Sequence, residues 1–95
     1  MTYKLEFKKT ALKEWKKLGS ILQTQFKKKL TERLENPHIK SDKVSGGDNL
    51  YKIKLRQAGY RLVYFVEDDI VTVTVLAVGK RERGKVYAEA LKRLN

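Results

Sequence analysis

The fold is decided by residues 50–78, LYKIKLRQAGYRLVYFVEDDIVTVTVLAV, in which apolar and polar side chains largely alternate. A period of two residues is typical of β-strands that bury one face. It predicts strands over Leu50–Arg56, Tyr60–Glu67 and Ile70–Val78, with turns at 57–59 and at Asp68-Asp69, and Gly79 interrupts the last run. Because short turns join antiparallel neighbours, we expect these strands to form hairpins in one sheet.

Two amphipathic helices are predicted upstream of these strands. Gly19 is predicted to be the C′ residue that ends the first helix. The second begins at Ser20, where Ser20 and Gln23 fit a capping box, and it stops at Asn36-Pro37. Such a short link favours an antiparallel helical hairpin. The apolar stripes consist of Ala11, Leu12, Trp15 and Leu18 in the first helix and of Leu22, Phe26, Leu30 and Leu34 in the second.

A strand at Tyr3–Phe7 and a short helix at Gly84–Leu94 complete the prediction at the two ends of the chain. Residues 38–49 have little pattern and are expected to form a loop. The element order β-α-α-β-β-β-α predicts an α+β fold, in which the helical hairpin covers one face of a mostly antiparallel β-sheet. With 95 residues and no linker or internal repeat, we expect one domain over residues 1–95.

The composition restricts the functional classes. Lys and Arg number 22 against 11 acidic residues, a net charge of +11, which favours a polyanionic partner such as nucleic acid. An acidic protein partner, or charge that serves only solubility, are the alternatives. No cysteine is present, so disulfides and thiolate zinc sites are excluded. No signal peptide or membrane-spanning stretch is apparent, so we expect a cytoplasmic protein without a membrane partner.

The strand pattern predicts a cationic sheet face. In residues 50–56, Lys52, Lys54 and Arg56 share one face, and Arg61 joins them if it lies opposite Arg56 across the turn. Like charges opposite one another destabilise a sheet, and a bound anion would compensate. A solvated, charge-covered sheet face is the alternative interpretation.

The segment GKRERGKVY, residues 79–87, adds four more cations and one aromatic ring to this candidate site. Arg81 is suited to forked hydrogen bonding with a phosphate, and Tyr87 is suited to stacking on an exposed base. The alternative for Tyr87 is an ordinary core or rim residue of the last helix.

Common catalytic groups are missing. His38 is the sole histidine, expected to be an exposed bystander, and the carboxylates do not cluster as two-metal chemistry requires. We therefore expect neither a metal nor a cofactor. RNA cleavage remains feasible with Lys, Arg and Tyr, because the 2′-hydroxyl is an internal nucleophile. Clustered cations lower a lysine pKa, so Lys52 or Lys54 could act as the base. Such a site would depend on a partner to align the RNA.

Four stretches together resemble the RelE toxins of bacterial and archaeal toxin–antitoxin systems: ALKEWKKLG (11–19), YKIKLR (51–56), GYRLVY (59–64) and VGKRER (78–83), followed by Val86-Tyr87. The resemblance implies a microbial-ribonuclease/RelE-like fold and a metal-independent mRNA interferase acting in the A site of a 70S-type ribosome. It also implies catalytic roles for Lys52 and Lys54 as base and phosphate binders, Arg61 in transition-state stabilisation, Arg81 at the leaving group and Tyr87 in base stacking.

The same resemblance implies a RelB-like antitoxin that neutralises the toxin, with operator DNA bound only through the complex of the two. Family members often carry a basic residue where Ser45 stands here, so that RNA contact is expected either to be weaker or to be supplied by Lys43. The further residues predicted to bind RNA are Arg56, Lys80, Arg83, Lys13, Lys16 and Lys28. For the helix lysines, a solvated surface is the alternative.

Two rival functions remain open from sequence. One is a non-catalytic basic module that binds ribosomal RNA, and the other is a subunit of an operon repressor in which catalysis has degenerated. The presence of all five matched site residues argues against degeneration.

Overall fold

The computed structural model describes residues 2–94, which contain four strands and three α-helices. In chain order they are β1 (Lys4–Phe7), α1 (Lys9–Lys16), α2 (Ser20–Glu35), β2 (Leu50–Leu55), β3 (Tyr60–Glu67), β4 (Thr72–Lys80) and α3 (Lys85–Arg93). This order confirms the predicted β-α-α-β-β-β-α arrangement. No helix among these residues combines the length and the apolar character needed to cross a bilayer.

The four strands form one mixed sheet in the order β1-β4-β3-β2. The pairs β2–β3 and β3–β4 are antiparallel, as predicted from the short turns. β1 pairs with β4 in parallel, Lys4 opposite Thr72 through Phe7 opposite Val75. This parallel pairing is possible because α1 and α2, with the later strands, lie between the two in the chain.

Each face of the sheet carries its own apolar core. On one face the helical hairpin packs through Ala11, Trp15, Phe26 and Leu30, all buried. The Trp15 and Phe26 rings lie 6.2 Å apart and join α1 to α2. On the opposite face α3 packs through Val86 and Ala90. The predicted apolar stripes are therefore confirmed except at Leu12, which is exposed. The last helix closes the second face of the sheet.

The link between α1 and α2 differs from the prediction. Gly19 is not a left-handed C′ residue: it has φ −66° and is the N-cap of α2. The capping box is also wrong, because no side chain caps α2. The Gln23 amide instead donates to the carbonyl of Trp15 at 2.9 Å, so it satisfies the end of the preceding helix.

The last strand begins later and ends later than predicted. Residues Asp68–Ile70 form a 3₁₀ turn, and β4 starts at Thr72. Gly79 does not interrupt the strand, because it pairs with Arg61 inside β4. The register shifts between Val63 and Tyr64, whose partners are Ala77 and Val75, which leaves Leu76 as an extra residue on β4.

An ion pair joins helices from opposite faces of the sheet. Beyond Phe7, β1 ends, and the outer edge of β4 has no strand beside it. There the Arg93 guanidinium of α3 binds both carboxylate oxygens of Glu14 of α1, at 2.8 and 3.2 Å. Glu14 also accepts from the Val78 N–H at 3.2 Å, and Arg93 donates to the Leu76 carbonyl at 2.9 Å. The pair thus caps this edge and fixes α3, the helix that carries Tyr87.

Candidate active site

A cationic pocket of about 330 Å³ opens on the α3 face of the sheet, where β2 and β3 meet the loop after β4. All five residues predicted to be catalytic line it. The complete lining comprises Lys52, Lys54, Arg61, Arg81, Glu82, Arg83, Gly84, Lys85, Val86 and Tyr87. Residues more than 30 positions apart in the chain therefore converge on one site.

Strand register places the first three cations. Lys54 lies directly opposite Arg61, and Lys52 opposite Val63, so all three project to the α3 face. Arg61 does not face Arg56, the partner considered from sequence; Arg56 follows the end of β2 and is exposed. Arg61 is only 8% exposed. Its hydrogen bond to the Tyr60 carbonyl is long, at 3.4 Å, which leaves donors free for a ligand.

Glu82 is the one acidic residue that lines the pocket, and among residues 2–94 it forms no ion pair with the cations there. Within residues 2–94, the Lys and Arg side chains in ion pairs are Arg33 and Arg93, neither of which lines the pocket. The positive charge of Lys52 holds the pKa of Lys54 below its usual value, with burial, Arg61 and Arg56 adding to the effect. A lysine in such surroundings releases its proton more readily, as a general base requires.

The loop after β4 brings Arg81 over the strand cations. Its backbone N–H donates to the Gly59 carbonyl at 2.7 Å, which ties this loop to the β2–β3 turn. Gly84, with φ +76°, lets the chain reverse into α3 and is the N-cap of that helix. The first turn of α3 therefore lines the pocket, and its positive dipole end adds to the attraction for an anion.

Tyr87, on α3, lines the pocket beside Lys52. The Lys52 ammonium nitrogen lies 5.8 Å from the centre of the Tyr87 ring, within the range of a cation–π contact. The ring is partly buried against the core beneath α3 and partly open. It is thus held in place and can still receive a planar ligand.

The comparisons with known proteins agree with this arrangement. The family profile described as ParE toxin of type II toxin-antitoxin system, parDE, matches residues 5–84. The mRNA interferase toxin RelE of Escherichia coli strain K12 is 57% identical over 99% of both chains. The chain belongs to the RelE family of toxins. The structure of a free E. coli RelE variant with two Arg-to-Ala substitutions matches this chain over 100% of both chains, with 55% identity and a TM-score of 0.92.

A second RelE structure, the same variant bound to a peptide of the antitoxin RelB, matches over 98% of both chains with 56% identity and a TM-score of 0.83. These relatives confirm the resemblance and the fold class inferred from sequence.

The residues predicted to bind RNA in this RelE family member are dispersed. Arg83 lines the pocket, and Arg56 lines an adjoining groove that shares Lys54 with it. Lys80 lies in a small cavity at the β4 edge, and Lys43 lies in a depression beside Ser45, Gly46 and Gly47. Lys13, Lys16 and Lys28 are exposed on α1 and α2 and do not line the pocket.

Sequence reasoning missed Arg33, which supports the site from the opposite face of the sheet. Its guanidinium donates to the Lys52 carbonyl at 3.2 Å and to the Tyr64 hydroxyl at 2.9 Å, and it pairs with Asp42. It thereby holds the edge strand that carries both pocket lysines. No local pattern identifies Arg33, because its partners lie on other elements.

His38 lies outside the pocket, as expected. Its ring contacts Asp68 at 3.2 Å, and Asp68 accepts from the Tyr3 hydroxyl at 2.7 Å. Within the described residues, no group of three His, Asp or Glu side chains is arranged to hold a metal ion.

Proposed function

We propose that this chain is an endoribonuclease toxin that cuts messenger RNA in the A site of the ribosome and so inhibits translation. The observation that carries the proposal is the convergence of Lys52, Lys54, Arg61, Arg81 and Tyr87 on one pocket. Membership of the RelE family, with a 57% identical relative named mRNA interferase, supports the same reaction. A pocket rich in unpaired cations suits a phosphodiester substrate.

The proposed reaction uses the RNA's own nucleophile. A lysine takes the proton from a 2′-hydroxyl, and the resulting oxygen attacks the adjacent phosphorus. The bond from phosphorus to the 5′-oxygen breaks, and that oxygen takes a proton from solvent. The products are a 2′,3′-cyclic phosphate and a 5′-hydroxyl, so no metal-bound water is needed.

The pocket suggests a role for each side chain. Lys54 serves as the base, because its pKa is lowered by Lys52 and the arginines. Lys52 and Arg61 stabilise the extra negative charge of the phosphorane. Arg81, on the loop over the pocket, donates hydrogen bonds to the leaving 5′-oxygen, since a guanidinium gives up protons too reluctantly to be an acid. Tyr87 stacks on a base and orients the RNA.

The ribosome and an antitoxin are proposed as partners, from the shape of the pocket and from the relatives of the chain. An open pocket of this kind does not by itself bend RNA into the in-line geometry, so a 70S-type ribosome is proposed to align the codon. The exposed Lys13, Lys16 and Lys28 would face ribosomal RNA. A RelB-like antitoxin is proposed to bind the chain, as it binds the E. coli relative. Operator DNA would be contacted only through that complex, and the setting would be the cytoplasm.

The proposal is tested by primer extension on ribosomes programmed with an empty A site, in the magnesium-containing buffer that intact ribosomes require. Wild-type protein is expected to cut within the A-site codon, and Arg81→Ala is expected to remain ribosome-bound with cutting lost. Absence of cuts by folded, ribosome-bound wild type would favour the non-catalytic RNA-binding module. A 5′-phosphate on the downstream fragment would overturn the mechanism, because attack by the 2′-hydroxyl leaves a 5′-hydroxyl.

A further inference from the structure

A second cationic groove adjoins the active-site pocket at the edge of the sheet. It has a volume of about 610 Å³ and lies between α2 and the β2–β3 turn. Its polar lining consists of Gln25 and Lys29 from α2, Lys54 from β2, and Arg56 and Gln57 from the turn. No carboxylate is among its lining residues, so it has the same charge preference as the pocket.

Lys54 makes the groove and the pocket one continuous surface, because it lines both. The two cavities therefore meet at the proposed base. The charges of the two cavities also act on each other, because Arg56 in the groove contributes to the lowered pKa of Lys54. An anionic chain whose scissile phosphate lies in the pocket has an adjacent binding surface in this groove.

The chemistry of the groove matches a nucleotide. Lys29 and Arg56 provide two cations for one phosphate, from a helix and from a turn. Gln25 and Gln57 provide two amides, and each amide offers both a donor and an acceptor to a base edge. The three cations that line the groove, Lys29, Lys54 and Arg56, repel one another, and a phosphate bound between them relieves this repulsion.

We propose that this groove binds the messenger-RNA nucleotide next to the scissile phosphate, with Lys29 and Arg56 contacting its phosphate and the two glutamines facing its base. The proposal rests on the proposed function and extends it to a second subsite. It assigns Lys29 to the cleaved strand, whereas the other exposed lysines of the helices are assigned to ribosomal RNA.

The test combines protein and RNA changes in one cycle. Single-turnover cleavage at saturating toxin is measured on ribosomes carrying mRNAs in which one phosphate flanking the cut is a neutral methylphosphonate. A methylphosphonate at one of the two flanking positions is expected to lower the wild-type cleavage rate by about tenfold, the usual effect of losing a charge-assisted contact. The double variant Lys29→Gln/Arg56→Gln is expected to be similarly slow on normal mRNA and insensitive to that methylphosphonate. Lys40→Gln/Lys92→Gln removes the same charge from exposed sites elsewhere and should behave as wild type.

The other outcomes separate the hypotheses. If the effects of the variant and of each methylphosphonate multiply, the groove does not contact the flanking phosphates and the inference is wrong. A variant that binds ribosomes weakly but cuts at the normal rate when saturating would place these cations on ribosomal RNA, which also overturns it. Failure of wild type to cut normal mRNA overturns the proposed function itself.

Discussion

At the scale of single residues, the cross-strand pair of Lys54 and Arg61 is the least expected contact, because like charges face each other. The site tolerates this repulsion and gains from it. Each neighbouring cation disfavours protonation of Lys54, so more of the amine is free at a given pH. The proposed role of Lys54 therefore depends on an interaction that destabilises the sheet.

Lys52→Gln tests which lysine is the base. Lys52 is the largest cause of the lowered Lys54 pKa, so its removal raises that pKa. We expect slow cleavage at neutral pH that recovers partly as the pH rises, with the midpoint of the pH–rate profile displaced upward. Lys54→Gln serves as the comparison and should not recover at any pH. The reverse pattern would make Lys52 the base.

Tyr87 is expected to act through its ring. Tyr87→Phe keeps the ring that lies near the Lys52 ammonium and should retain most of the cleavage rate. Tyr87→Ala removes a stacking surface worth about 1–3 kcal/mol per base and should reduce the rate by roughly tenfold or more. Single-turnover rates on programmed ribosomes give both values. Loss of activity in a folded Tyr87→Phe protein would assign the hydroxyl a chemical role.

At the scale of elements, alternation and helical spacing predicted most of the structure. The bounds of β3 agree with the prediction, and the stripe of α2 is buried at Phe26 and Leu30. The strand and the helix each bury one face, and burial of one face produces a periodic pattern of apolar residues in the sequence. The end of α1 was predicted wrongly because Gln23, on the next helix, satisfies it.

The composition of the site was predictable, and its geometry was not. Residue types and strand parity placed Lys52 and Lys54 on one face. The pairing of Arg61 with Lys54 instead of Arg56 depends on the register of the hairpin, which the turn conformation sets. Contacts such as Arg33 with the Lys52 carbonyl join α2 to β2 and have no local signal. The RNA-binding assignments of the dispersed lysines remain predictions.

Gly46 and Gly47, in the loop between α2 and β2, provide a prediction at the same scale. A Cβ on Gly47 would lie 2.6 Å from a Leu50 methyl carbon and 3.4 Å from Leu94, so the loop packs closely beneath α3. Gly47→Ala should destabilise the protein by about 1–3 kcal/mol through overpacking. Gly19→Ala is the matched control, since nothing lies within 4 Å of a Cβ there, and should change stability by less than about 1 kcal/mol. Urea unfolding measures both, and equal effects would contradict the packing argument.

At the scale of the whole molecule, Glu14 and Arg93 connect the two layers that cover the sheet. Glu14→Gln keeps the size of the side chain and removes its charge. We expect it to lower the free energy of unfolding by about 1.5–3 kcal/mol, because several hydrogen bonds to a charged group weaken together.

Glu89→Gln is the matched control for that change. Glu89 meets Arg93 only at 3.5 Å, in a surface pair along α3, so its loss should lower stability by about 1 kcal/mol or less. Urea denaturation of the three proteins in the same buffer gives the comparison. Equal midpoints for the two variants would show that Glu14 has no special role in joining α1 to α3.

The capped edge of β4 also affects how copies of the chain meet one another. A strand edge with free N–H and carbonyl groups is a template on which another molecule can extend the sheet, and such pairing leads to aggregation. Here the Val78 N–H and the Leu76 carbonyl are already engaged by Glu14 and Arg93. The ion pair therefore removes one point at which a second copy of the chain could extend the sheet.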